Sequence, residues 1–208
     1  GSNIDHIIND VDITVENDPN SYAQGVVAGV VTYSSYYSDN SNITDTVISN
    51  CENRGTITGG YDAGGVCEKT GSNVTVKNCI NTGTVTSLRG RAGGITCYGS
   101  GTTVEDSANL VTISGLKGAG GIAYRFEFSH STSAERSGRW AGIIRNCYNA
   151  GTINGGANSD YVAGIAASNS GSLSSTISPA ISNEIENCYN VGKINCEATG
   201  SSVRVGRS

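Results

Sequence analysis

A cassette recurs along the chain: an aliphatic residue, then Asn-Cys-x-Asn-x-Gly-Thr-aliphatic, a loop, and Ala-Gly-Gly-aliphatic. Aligned on the cysteine, the copies read VISNCENRGTITG, VKNCINTGTVTS, VEDSANLVTISG, IIRNCYNAGTING and IENCYNVGKINC, anchored at Cys51, Cys79, Ser107, Cys147 and Cys188. The steps from 51 to 79 and from 79 to 107 are 28 residues each. The next two, 40 and 41 residues, fit the same unit carrying an extra loop. A fixed period in this range means that one supersecondary unit stacks on copies of itself, because each can bury its apolar side only against its neighbours. Apolar positions keep the register: Ile48, Val76, Val104, Ile144 and Ile185 precede the anchor by three, and Ile57, Val85, Ile113, Ile153 and Ile194 follow it by six. Short β-branched runs bounded by Asn and Gly predict strands, not helices. A second strand is expected at Ala63-Gly64-Gly65-Val66 and its equivalents at 92–95, 119–122 and 162–165. Val27-Ala28-Gly29-Val30 matches them and implies a degenerate N-terminal coil.

The expected fold is an all-β, right-handed parallel β-helix: a solenoid of about five to six coils, each with about three short strands and three bends. At ~4.8 Å per coil the rod is roughly 25–30 Å long. Coil junctions are expected near residues 45, 73, 102, 140 and 182, within one domain. Residues 1–2 (Gly-Ser) resemble an expression scar, so an excised piece of a longer chain is expected. Residues 3–45 form the degenerate coil, and 46–196 the repeats with insertions at 124–140 and 167–182. Residues 197–208 read as a terminal coil or the end of that piece, with Gly200–Val203 a weak echo of the Gly-Gly corner.

Stacking decides the chemistry of the anchors. Residues at one repeat position have parallel Cβ vectors, whereas a disulfide needs Cβ atoms ~3.8 Å apart that point at each other. Cys51, Cys79, Cys147 and Cys188, with Ser107, therefore read as a structural ladder of packed free thiols and one hydroxyl. Cys67, Cys97 and Cys196 are less regular, and any disulfide would fall on them. No Cys-x-x-Cys pair exists, so no structural zinc site is expected, and carboxylates lack the cadence of a calcium site. Asn53, Asn81, Asn109, Asn149 and Asn190 all lie two after the anchor, which predicts an amide ladder along the stack. Asparagine also tolerates the left-handed conformation of a sharp turn.

A net charge of −5 with 15% charged residues disfavours a nucleic-acid binder, which needs a basic stripe. No apolar run approaches the ~18 residues of a membrane span. Binding candidates concentrate in the insertion Tyr124–Trp140, which holds the only tryptophan, Trp140, both phenylalanines, Phe126 and Phe128, and Arg125, His130, Arg136 and Arg139. Aromatic and Arg enrichment is the composition of binding hot spots, and loops on rigid scaffolds carry function. The bland alternative has Phe126 and Phe128 continue the strand after Gly121 while Trp140 covers a flank. A second contact surface is the loop bearing Tyr33, Tyr36 and Tyr37. A carbohydrate-active enzyme would need paired carboxylates; Glu127, Glu135 and Arg125 are the available cast, and no spacing rule singles them out. Outward threonine pairs such as Thr56/Thr58 and Thr84/Thr86 raise ice binding as a further alternative, although threonine is simply a good exposed strand residue.

The cassette Asn146–Gly171 and its sister Asn187–Ile194 resemble the GLUG-type repeats of bacterial surface proteins. Those pair a Gly-Gly-aliphatic corner with Ile-x-Asn-Cys-Tyr-x-x-Gly-x-Val, and the resemblance covers roughly residues 46–124 and 141–196. Such repeats occur in large secreted or wall-anchored proteins of Gram-positive bacteria, including adhesin-like proteins and immunoglobulin A-cleaving metallopeptidases. The resemblance implies an extracellular, monomeric, non-catalytic segment without cofactor, attached to other domains of a larger chain. No His-Glu-x-x-His is present to suggest the peptidase itself. Two functions are compatible with it: recognition of a host glycoprotein or glycan through residues 124–140, or a rigid spacer with no ligand.

Overall fold

The computed structural model describes residues 2–16, 25–34, 45–130, 139–170, 182–200 and 203–206. Among them the chain forms no helix, and short parallel strands stack in register as a parallel β-helix. The coil after Asn73 shows the unit: strands Val74–Lys77, Ile80–Asn81, Val85–Ser87, Arg91–Gly93 and Thr96–Ser100. Each adds to one of five sheets, numbered here first to fifth in that order. The first four sheets contain six strands and the fifth contains five. The coil thus has five strands where three were expected. They are two to five residues long, and a two-residue strand leaves no alternation to read in a sequence.

The coils are continuous at both ends. The N-terminal coil contributes to all five sheets through Asn3–Asp5, Ile8–Asn9, Ile13–Val15, Val27–Ala28 and Val31–Ser34. The sixth coil adds Glu184–Glu186, Tyr189–Asn190, Ile194–Cys196 and Arg204–Gly206 to the first four. The last of these pairs Val205 with Val162, so the worn corner sits at 204–206 and not at Gly200–Val203.

Two rows explain the cassette. Asn9, Asn53, Asn81, Asn109, Asn149 and Asn190 form a continuous ladder, each Nδ2 donating to the next Oδ1 at 2.8, 2.8, 2.8, 2.6 and 2.7 Å. Asn9 is the member that the repeat alignment misses, because 44 residues separate it from Asn53. The second glycine of each corner faces this ladder. A Cβ on Gly65 would lie 2.6 Å from Asn81 Cγ and 2.0 Å from the carbonyl oxygen of Gly94, and Gly94 and Gly121 meet Asn109 and Asn149 alike. The asparagine row and the glycine row thus form a wall through the interior. On one side lie Ile48, Val76, Val104, Ile144, Ile95, Ile122 and the anchors Cys51, Cys79 and Cys147. On the other lie Ile57, Val85, Ile113, Ile153, Ala63, Ala92 and Ala119.

The anchor is small for a hydrogen-bonding reason as well. The thiols of Cys51, Cys79, Cys147 and Cys188 and the hydroxyl of Ser107 each donate to the carbonyl two residues earlier, at 3.1, 3.3, 3.2, 3.1 and 2.8 Å. The residue between donor and acceptor turns the chain from the first sheet to the second. Asn50, Asn78, Asp106, Asn146 and Asn187 occupy that place with φ between 50° and 54°. The left-handed asparagine is therefore the one before the anchor, and the ladder asparagines are not the turn residues. All seven cysteines are free, including Cys67, Cys97 and Cys196, so none of the irregular three is bridged.

Candidate functional site

The insertion at 124–140 divides into parts of different character. Tyr124–Glu127 belong to the fifth sheet, in register with Tyr98 and Gly99. Phe126 is fully buried beneath Gly142 and Phe128 nearly so, which removes both from the set of ligand contacts. Phe126 continues the strand and fills the core between the first and fifth sheets, and Phe128 is buried just beyond the end of the strand. Arg125 pairs with Glu127 at 3.0 Å, so two residues available to an acid–base reading neutralise each other. Ser129–His130 and Arg139–Trp140 then pair antiparallel, and residues 131–138 lie outside the described residues. Arg136 and Glu135 lie outside the described residues, as do Tyr36 and Tyr37; Tyr33 sits in a fifth-sheet strand next to Lys69. Only the second threonine of each pair lies on the third sheet, in a half-buried row from Thr58 through Thr86 to Ser114 and Asn154, while Thr56 and Thr84 precede the strands.

A second cluster lies on the flank between the fourth and fifth sheets, from residues far apart in sequence. Arg91 opens a fourth-sheet strand, and its backbone N–H donates to Asp62 Oδ1 at 2.9 Å from the preceding coil. Its guanidinium carbon lies 5.5 Å from the ring centre of Tyr124 and 5.9 Å from that of Tyr98, within cation–π reach. Nη1 donates to the Tyr98 hydroxyl at 2.7 Å, and the two rings meet edge to face at 6.0 Å. Arg91 Nε is buried without a hydrogen-bond partner. Tyr124 can lie flat here because its neighbour is Gly118, where a Cβ would stand 2.4 Å from the ring. Lys117 Nζ sits 5.2 Å over the ring of Tyr61, and Tyr98 is in register with Lys69 and Arg125 along the fifth sheet.

Electrostatics single out the same flank. Glu68 is 5% exposed, and burial first, then the charge of Asp62, pushes its carboxyl up to about 7. Burial also raises Asp62, opposed by the backbone N–H and charge of Arg91. The phenols of Tyr98 and Tyr124 are raised by burial as well. Clusters of perturbed groups mark functional sites more often than chance, although ion-pair networks perturb them too. Among the described residues no group of three His, Cys, Asp or Glu side chains could hold a metal ion, and no helix is long and apolar enough to cross a membrane.

The repeat alignment contained a signal for this cluster. Asp62 and Arg91 both stand immediately before the Ala-Gly-Gly corner, and Glu68, Cys97 and Tyr124 share one position after it. The first of these columns continues through Gly118 to Tyr161 and Arg204, so it is charged or aromatic in most coils. No family model, curated protein or solved structure matches the chain, so the likeness to GLUG repeats rests on the cassette alone.

Proposed function

We propose that this chain is a non-catalytic recognition segment of a larger secreted or surface-attached bacterial protein, and that it holds a host glycoprotein or acidic glycan. The ligand runs along the flank between the fourth and fifth sheets towards the antiparallel pair of Ser129–His130 and Arg139–Trp140. The observation that carries this reading is Arg91 beside the half-buried Tyr98, both resting on the buried ring of Tyr124, with Arg125, paired with Glu127, in register with Tyr98. Aromatic faces receive the C–H faces of sugar rings, and guanidinium groups receive carboxylate or sulfate oxygens in a fork. The rod beneath is rigid, so little ordering entropy opposes binding. A glycan and host-protein array tests the proposal, using the intact chain and the variants Tyr98→Ala, Arg125→Ala and Trp140→Ala. An acidic glycan is expected to bind and to weaken by about tenfold, roughly 1.4 kcal/mol, in Tyr98→Ala and Arg125→Ala. Loss confined to Trp140→Ala moves the site to that antiparallel pair. A chain that binds nothing on the array is a spacer.

A further inference from the structure

A groove of about 680 Å³ crosses the molecule on another sheet, and it is independent of the flank just described. Its floor is the outward row of the third sheet, where Ser114, Asn154 and Asn195 stack in register from three successive coils. Asn195 Nδ2 donates to Asn154 Oδ1 at 2.8 Å, and Asn154 Nδ2 donates to Ser114 Oγ at 3.2 Å. Each amide in that chain keeps a second N–H and a second carbonyl lone pair for a ligand. The wall comes from the bend between the third and fourth sheets, where Leu88 is 54% exposed and Leu116 lines the same groove. Lys193 and Glu197 lie at the far end, one charge of each sign.

We propose that this groove binds a short, neutral oligosaccharide strand laid along the rod axis. The volume falls within the ~300–1,000 Å³ of small-ligand sites. The floor offers amide and hydroxyl groups at the coil repeat of ~4.8 Å, which suits a polymer carrying hydroxyls at regular intervals. Exposed Leu88 and half-buried Leu116 supply an apolar wall for the C–H face of a pyranose ring. Balanced charges favour an uncharged ligand over an acidic one. An extended peptide is disfavoured, because strand addition needs free backbone groups. Here the N–H groups of Leu116, Gly156 and Glu197 already donate to Ser87, Gly115 and Gly155 of the preceding coils.

The test is an NMR titration of the intact chain with cello-, xylo-, manno- and maltotetraose. Spectra of each variant without sugar serve as the check on folding. At least one sugar is expected to shift the side-chain amide signals of Asn154 and Asn195. Asn154→Ala and Leu88→Ser should each weaken that binding by about tenfold, and Tyr98→Ala should leave it unchanged. The proposal is overturned if no sugar moves those signals, or if binding survives both groove substitutions. It is equally overturned if Tyr98→Ala abolishes binding, which would place the neutral glycan on the flank between the fourth and fifth sheets and leave the recognition role standing.

Discussion

At residue scale, the flank couples chemistry to stability through Glu68. Its carboxyl is raised from 4.5 to about 7, chiefly by burial, so the folded chain holds this proton more tightly than the unfolded chain does. The contribution to stability is therefore complete below pH 4.5, declines as pH rises through about 7, and is flat above that. Across this window the wild type should lose about 3 kcal/mol relative to Glu68→Gln, which carries no proton to lose. Urea unfolding of both proteins at pH 4.5, 5.5, 6.5 and 7.5 measures this difference. A stability gap between them that does not change with pH would mean that Glu68 is solvated. Little of the flank was legible beforehand, since Asp62, Glu68, Arg91, Tyr98 and Tyr124 come from three coils and form no linear motif. Phe126 and Phe128 misled for a related reason. Large aromatics look conspicuous in a chain of small residues, yet one coil needs a large core side chain where Gly142 leaves space.

At the scale of the coil, stability rests on register more than on any one contact. Val74, Thr75, Val76 and Lys77 pair with Thr46–Ser49 on one side and with Thr102–Glu105 on the other. Excising residues 74–101 removes one period and sets Thr102 on Thr46, where Val74 now sits. Nearest-neighbour stacking predicts that this variant still folds and unfolds cooperatively, with a smaller denaturant slope because less surface is exposed. Excising only 74–87 should destroy the fold, since it removes the first three strands of the coil and sets the fourth-sheet residues Arg91–Gly93 against rows of the first and second sheets. Circular dichroism and urea titration of the two deletions check this; a folded half-coil deletion would contradict stacking by register. The period, the anchor position and the asparagine ladder were all readable from spacing, because identical residues at one column must stack. The number of strands per coil was not. Bends at the left-handed residues Asn50, Asn78 and Asn146 break the coil into pieces too short to carry a periodic signature.

For the whole molecule, the central claim is that one wall of asparagine and glycine runs the length of the rod and separates two apolar compartments. Every ladder amide from Asn53 to Asn149 is fully buried and bonded to the coils on both sides. Breaking one member leaves unpaired partners in the neighbouring coils, a cost of about 1–3 kcal/mol for each orphaned polar group. The scaffold is stiff for the same reason, and the proposed recognition role would draw on that stiffness. The most direct test is hydrogen exchange of side-chain amides followed by NMR. The Nδ2 protons of Asn53, Asn81, Asn109 and Asn149 should exchange only through opening of the rod, far more slowly than those of the exposed Asn187. Exchange of Asn81 and Asn109 as fast as that of Asn187 would contradict the account, because a solvated ladder cannot be the interior wall of a stacked β-helix.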